Sequence, residues 1–358
     1  MADVKSNVLI PIFRPSLPIY SQLVPYLKRI DDNGWYSNYG PLSSALEGRI
    51  AEYCGLESWQ VVTVANATLA LEGALSTHIN ESEWDCPSWT FAATPSALAR
   101  SNKRFRFIDI DSDWRVSPKL SSSKNKMILD VLPFGASINV SRLGNEVETV
   151  LIDAAASFDS LKSIELPAGK QIGMVLSFHA TKSLPGGEGA VFISNDKDWV
   201  SRVRQWGNFG FSEDRRSEFV GTNSKMNEYS AAVILTSLDN WYEDREKWVE
   251  MGNWAIRTSE SNGLRVQPSL DEGFASPYWI IEAEDWKIEL VEKRMQSLDI
   301  QTRRWWGYGC HNMPAFKQVP TTPLEKTDLI SRTTLGLPFY KNMPLEFKER
   351  IESALGSL

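Results

Sequence analysis

The stretch "SFHATKSLPGGEGAVFIS", Ser177–Ser194, decides how the rest of the chain is read. It opens at the end of one apolar run, "GMVLSF" at 173–178, and closes on a second, "AVFI" at 190–193. Both have the length and apolar content of a buried strand. Lys182 therefore sits on a short turn between two buried strands, beside the pair Gly186-Gly187. Lysine is among the residues least often buried without a partner. Either its amine reaches solvent, or the protein needs a primary amine at that place.

Outward from this turn, residues from about 42 to 239 alternate between helical and extended patterns. "PLSSALEGRIAEYCG" (41–55) predicts a helix that ends at Gly55, "VVTVA" (61–65) a strand, and "NATLALEGALSTHI" (66–79) a second helix. "FAATPSALARSN" (91–102) predicts a third helix. "RFRFIDI", "KMILDVL" and "TVLIDAA" are further short apolar runs. Strands of this kind separated by helices predict an α/β fold with a mainly parallel central sheet covered on both faces. A long helical region follows, from about Lys225 to Glu260. Beyond it, strand-like "PYWIIEAE" and helical "KIELVEKRMQSL" predict a smaller α+β unit. The expected division is a large domain over 1–240, with the N-terminal segment, and a smaller one over 241–358.

Composition removes several classes of function. The chain has 358 residues and a net charge of −7, with no basic stripe, which argues against a nucleic-acid partner. No run approaches the roughly 20 apolar residues of a membrane span, and "MADVKSNVLIPIF" lacks the apolar core of a signal peptide. Three widely spaced cysteines argue against a disulfide framework and for a reducing, cytoplasmic setting. The three histidines share no metal-ligand spacing, so no metal is expected. There is no phosphate-binding G-x-x-x-x-G-K-[ST], and "GGEGAVF" lacks the third glycine and the following helix of a dinucleotide fingerprint. "ASFDS" is not a nucleophile elbow.

In an open α/β sheet, ligands bind beyond the carboxyl ends of the strands. Asn66-Ala67-Thr68 follow the first strand and begin a helix, whose free N–H groups suit a phosphate. Asp153 follows "TVLI", Ser177 follows "GMVL", and Trp89 follows the strand "EWDC". Taken singly, each has an ordinary structural explanation: a helix cap, a helix start, core packing, a solvated lysine. Taken together, a phosphate seat, a carboxylate, an amine and a flat aromatic face match what pyridoxal 5′-phosphate (PLP) requires. Its aldehyde joins a lysine, its ring nitrogen needs a carboxylate, and its ring stacks on an aromatic.

The stretches "GWYSNYGPLSSALEGRIAEYCG", "ANATLALEGAL", "CPSWTFAATPSAL", "VLIDAAASFDS", "SFHATKSLPGGEGAVFI", "WGNFGF" and "GTNSKMNEYSAA" resemble the sugar aminotransferase family called DegT/DnrJ/EryC1/StrS. The resemblance runs nearly end to end and implies the PLP-dependent transferase fold of type I. On this resemblance, Lys182 matches the lysine bonded to the cofactor, and Asp153 the carboxylate on its ring nitrogen. Ala67, Thr68 and Ser177 match phosphate contacts, and Trp89 stands at the stacked aromatic. Asn223 matches an asparagine that reaches the phosphate of the neighbouring subunit, which implies a homodimer with shared active sites. Ala156 departs from the pattern, because many members carry Gln or His there.

The implied reaction moves an amino group from glutamate, through the pyridoxamine form of the cofactor (PMP), to a nucleotide-linked ketosugar. A 4-keto-6-deoxyhexose is the expected acceptor, in amino-sugar or O-antigen biosynthesis; amination at C3 would use the same motifs. Tyr36, Asn38 and His179 are candidate sugar contacts, and Arg215, Arg216 and Arg303 candidate partners for the diphosphate. A sugar dehydratase of the same fold is disfavoured, because histidine replaces the lysine there. A non-catalytic PLP-binding regulator is the other alternative.

Overall fold

The computed structural model describes residues 8–80, 82–117, 127–162 and 164–356. A seven-stranded sheet forms its centre. The strands are β1 (Val61–Val64), β2 (Trp84–Pro87), β3 (Phe105–Ile108), β4 (Met127–Val131), β5 (Thr149–Asp153), β6 (Gln171–Ser177) and β7 (Ala190–Ser194). Their order is β1-β7-β6-β5-β4-β2-β3. From β6 to β3 every pair is parallel, as the alternation of runs predicts. β7 runs antiparallel to both β6 and β1. A parallel crossover usually carries a helix, and the connection at 178–189 contains none, so the chain turns straight back. That hairpin is the turn that carries Lys182.

Helices α1 (Tyr20–Asn33), α2 (Pro41–Cys54), α3 (Ala67–Thr77), α4 (Ala93–Arg100), α5 (Lys197–Trp206) and α6 (Glu228–Asp239) belong to this half of the chain. α2 has Pro41 in its first turn and stops at Gly55, whose φ of 73° an L-residue adopts at a cost. The long helical region expected at 225–260 is two helices. α6 ends at Asn240, which also caps α7 (Trp241–Ser261).

A second sheet, ordered β10-β9-β8, is antiparallel and small. It comprises β8 (Arg265–Val266), β9 (Trp279–Glu282) and β10 (Thr334–Leu337). The short α8 (Pro268–Asp271) follows β8, while α9 (Asp285–Ser297), α10 (Glu325–Thr333) and α11 (Leu345–Leu355) complete the chain. The N-terminal segment makes backbone contacts near residues 299–301 and 339. The Ile10 N–H donates to the Asp299 carbonyl at 2.9 Å, and the Phe339 N–H to the Ile12 carbonyl at 3.0 Å. Ile10 and Ile12 are buried, and their backbone groups are satisfied by these contacts.

One carboxylate fastens two helix starts. Glu228, 1 % exposed, lies in the first turn of α6 and accepts from the Leu42 N–H (2.6 Å), the Ser43 N–H (2.9 Å) and the Ser43 hydroxyl (2.8 Å) at the start of α2. Both helix dipoles stabilise a negative charge there. Gly40 has no room for a Cβ, which would lie 2.7 Å from Glu228 Cδ. Glu228→Ala leaves two buried N–H groups without acceptors and is expected to destabilise the fold by about 3 kcal/mol. A lower denaturation midpoint at unchanged slope is the measurement that checks it.

Candidate active site

A cavity of about 950 Å³ opens at the carboxyl ends of the parallel strands, where the start of α3, the end of β5 and the β6–β7 turn converge. It is large enough for a cofactor together with a substrate. Its phosphate-sized end is local in origin. Asn66 caps α3: its carbonyl takes the Ala70 N–H and its side chain the Leu69 N–H, each at 3.0 Å. The N–H groups of Ala67 and Thr68 are left without intrahelical acceptors and carry the positive end of the helix dipole.

Asp153 closes β5, so its backbone is gripped on both sides, by Val131 and Val175. Its side chain is buried. Oδ2 accepts from the Thr94 hydroxyl at 2.7 Å and Oδ1 from the Ala155 N–H at 3.2 Å. Burial pushes its pKa up; the Thr94 and Ala155 hydrogen bonds and the charge of Lys182 pull the other way. Among the described residues it forms no ion pair.

Lys182 is half-buried and lines the same cavity, and its Nζ donates to the Tyr278 hydroxyl at 3.0 Å. The glycines beside it have a steric cause. A Cβ on Gly186 would lie 2.2 Å from Ile234 Cγ1, and Gly187 has a φ of 80°. The Gly186 N–H also closes the turn onto the Phe178 carbonyl at 2.6 Å. The turn packs tightly against α6 and leaves the lysine side chain on the cavity side.

Of the residues singled out in the sequence, Lys182, Asp153, Ala67, Thr68, Ser177, His179 and Arg303 all line this cavity. Ala156 lines it too. Trp89 does not, and this corrects its reading as the stacking aromatic. It is 2 % exposed, with its ring edge-on to Trp306 at 5.1 Å and to Trp114 at 6.4 Å. The chain leaves β2 at Pro87, and it is Phe91, 63 % exposed, that reaches the cavity.

Asn223, Tyr36, Asn38 and Arg215 also lie off this chain's own cavity. Asn223 is exposed and paired through its backbone with Asn208. Tyr36 stacks on Tyr229 at 6.3 Å, and Asn38 and Arg215 hold positive φ in exposed loops. Thr94 and Tyr278 are site residues that the sequence reading missed. Thr94 lies four residues after Thr90, in the stretch already quoted for the site, and was within reach of a pattern search. Tyr278 is 96 residues from Lys182, and no local pattern connects them.

The sequence profile of the DegT/DnrJ/EryC1/StrS aminotransferase family matches residues 19–356. The chain belongs to that family. It is 26 % identical to the Escherichia coli dTDP-4-amino-4,6-dideoxy-D-glucose transaminase over 97 % of this chain and 98 % of that one. It is 24 % identical to the GDP-perosamine synthase of E. coli O157:H7, over 86 % and 87 %. Among solved structures it resembles DesI, crystallised in the presence of its TDP-sugar product, with a TM-score of 0.86 and 27 % identity over 97 % of this chain and 92 % of that one. A Bacillus cereus chain assigned as a PLP-dependent aminotransferase matches with a TM-score of 0.87 and 27 % identity over 98 % and 100 %.

This aminotransferase is PLP-dependent, and the donor set around Asp153 fits the cofactor. A carboxylate has about four acceptor positions, and among the described residues two are filled. A cationic ring N–H supplies what the buried oxygens lack. Trp89 and Phe91 separate packing from binding. Trp89→Ala is expected to cost about 3–5 kcal/mol of stability. Phe91→Ala, at an exposed position, is expected to leave stability within about 1 kcal/mol while weakening PLP affinity about tenfold. Thermal melts and a cofactor titration of both variants check this.

Proposed function

We propose that this aminotransferase moves an amino group from glutamate to the keto carbon of a nucleotide-linked 4-keto-6-deoxyhexose. One observation carries the reading: a single cavity collects the Lys182 amine, the buried Asp153 carboxylate and the free N–H groups at the start of α3. The names of the relatives, which act on dTDP- and GDP-linked sugars, support the acceptor class.

When bound, PLP supplies an aldehyde that condenses with primary amines and a ring that withdraws electrons from the carbon next to the nitrogen. Ala67 and Thr68 N–H groups, with the Ser177 hydroxyl, hold its phosphate. Asp153 holds a proton on the ring nitrogen, which keeps the ring electron-poor. Phe91 offers the flat face. With the cofactor in place, Lys182 Nζ would serve as the base that takes the proton from the donor's α-carbon and as the acid that gives it back. Arg303 is suited to an anion such as the diphosphate. Its guanidinium lies 4.9 Å from the Trp305 ring and 5.8 Å from that of Phe13, and among the described residues it has no carboxylate partner. Arg304, its neighbour on the cavity, is already taken by Glu292 at 2.8 Å. Asn223, Tyr36, Asn38 and Arg215 suit a different task, completing the site of a second subunit.

Lys182→Ala is expected to abolish turnover of glutamate with a dTDP-linked ketosugar while the protein still folds. Measurable turnover by that variant overturns the reading. Asp153→Ala is expected to slow the reaction by orders of magnitude. A near-normal rate with a melting temperature lowered by the loss of its hydrogen bonds to Thr94 and Ala155, about 1–3 kcal/mol, returns Asp153 to a purely structural role.

The homodimer is tested by mixing defects. A doubly tagged dimer of one Lys182→Ala subunit and one subunit whose Asn223 is replaced by a bulky residue is expected to regain about half of the parent activity, because one of its sites is then intact. Activity no higher than the mean of the two parental variants removes Asn223 from the partner's site.

A further inference from the structure

We propose that Tyr278 is a positioning residue that holds the free amine of Lys182 and keeps it away from Asp153. The proposal rests on the assignment of Lys182 as the reactive amine. Two acceptors compete for that amine. Asp153 is the stronger, because it is a buried carboxylate within electrostatic reach of the lysine. Yet no ion pair joins them, and Nζ is bonded instead to the neutral Tyr278 hydroxyl at 3.0 Å. A lysine folded onto Asp153 would fill the acceptor positions that the cofactor's ring nitrogen needs.

The tyrosine is built to hold its place. Its N–H donates to the Ser276 hydroxyl at 3.2 Å, and its carbonyl receives the Gln267 side-chain amide at 2.7 Å. Its ring stands edge-on to Phe134 at 5.4 Å and to Trp305 at 5.0 Å. The side chain therefore has little freedom to leave, whereas Lys182 has a flexible four-carbon stem and, among the described residues, the Tyr278 hydroxyl as the partner of its amine. Nζ lies 5.5 Å from the centre of the Tyr278 ring, so the hydroxyl makes the close contact. The hydrogen bond links the β6–β7 turn to the residue that leads into β9, so both sheets aim the amine.

Tyr278→Phe removes the hydroxyl and keeps the packed ring, which separates positioning from packing. The test adds PLP to cofactor-free protein, traps the adduct with borohydride at intervals and locates it by peptide mass. The half-reactions with glutamate and with the ketosugar follow on the loaded enzyme. The expected result is PLP attached at Lys182 in both proteins, but about tenfold more slowly in the variant, the 1.4 kcal/mol of one hydrogen bond. kcat is expected to fall by a similar factor, with KM within twofold and an unchanged melting temperature. Equal attachment rates and equal kcat overturn the proposal. So does a raised KM at constant kcat, which makes Tyr278 a substrate contact. If the unmodified protein acquires no PLP on Lys182, the assignment of the site fails, and the proposal with it.

Discussion

Asp153 is a carboxylate taken out of water at the end of β5, with two hydrogen bonds from the described residues where it has room for about four. Burying such a group is unfavourable unless it is paired or neutralised, and the pKa is pushed up as a result. The sheet bears this because the residue cannot move: β4 and β6 grip its backbone on both sides. The unmet acceptor capacity is then aimed into a cavity rather than lost in the core. The surroundings follow from it. Thr94 comes from α4 to hold one oxygen, Phe91 stands exposed just ahead of α4, and Lys182 faces the carboxylate without pairing with it.

The second constraint is crowding beneath the lysine. The β6–β7 turn lies against α6 so tightly that Gly186 admits no Cβ, and Met226 and Ile234 press on Gly189 in the same way. α6 is in turn tied to the start of α2 through Glu228. A rigid floor of this kind fixes the backbone from which the lysine side chain departs, and the Lys182 N–H is itself tied to the His179 carbonyl at 2.9 Å. Charge is handled locally as well. The chain is acidic overall, with a net charge of −7, yet the cavity carries the α3 dipole and an arginine flanked by aromatic rings. Net charge describes solubility, and the site is set by a few groups in a poorly solvated space.

What the sequence by itself determined are the features that depend on neighbours in the chain. Strand and helix types followed from apolar runs and from punctuation such as Gly55 and Asn66, because caps and periodicity act over a few residues. Lys182 between two strands, Asp153 at a strand end and Ala67-Thr68 at a helix start were legible for the same reason. Tertiary structure decided what depends on direction and distance. Whether Trp89 or Phe91 faces the cavity turned on how the chain leaves β2, which pattern alone cannot resolve. The direction of β7 was set by a connection that forms a tight turn rather than a helix, and the helical region breaks at Asn240 with no proline or glycine to mark it. Tyr278 lies 96 residues from Lys182, and Ile12 lies 289 residues from Gln301, whose side-chain oxygen accepts its N–H. Such long-range pairings are chosen by the shape of the folded core, and no spacing in the sequence encodes them.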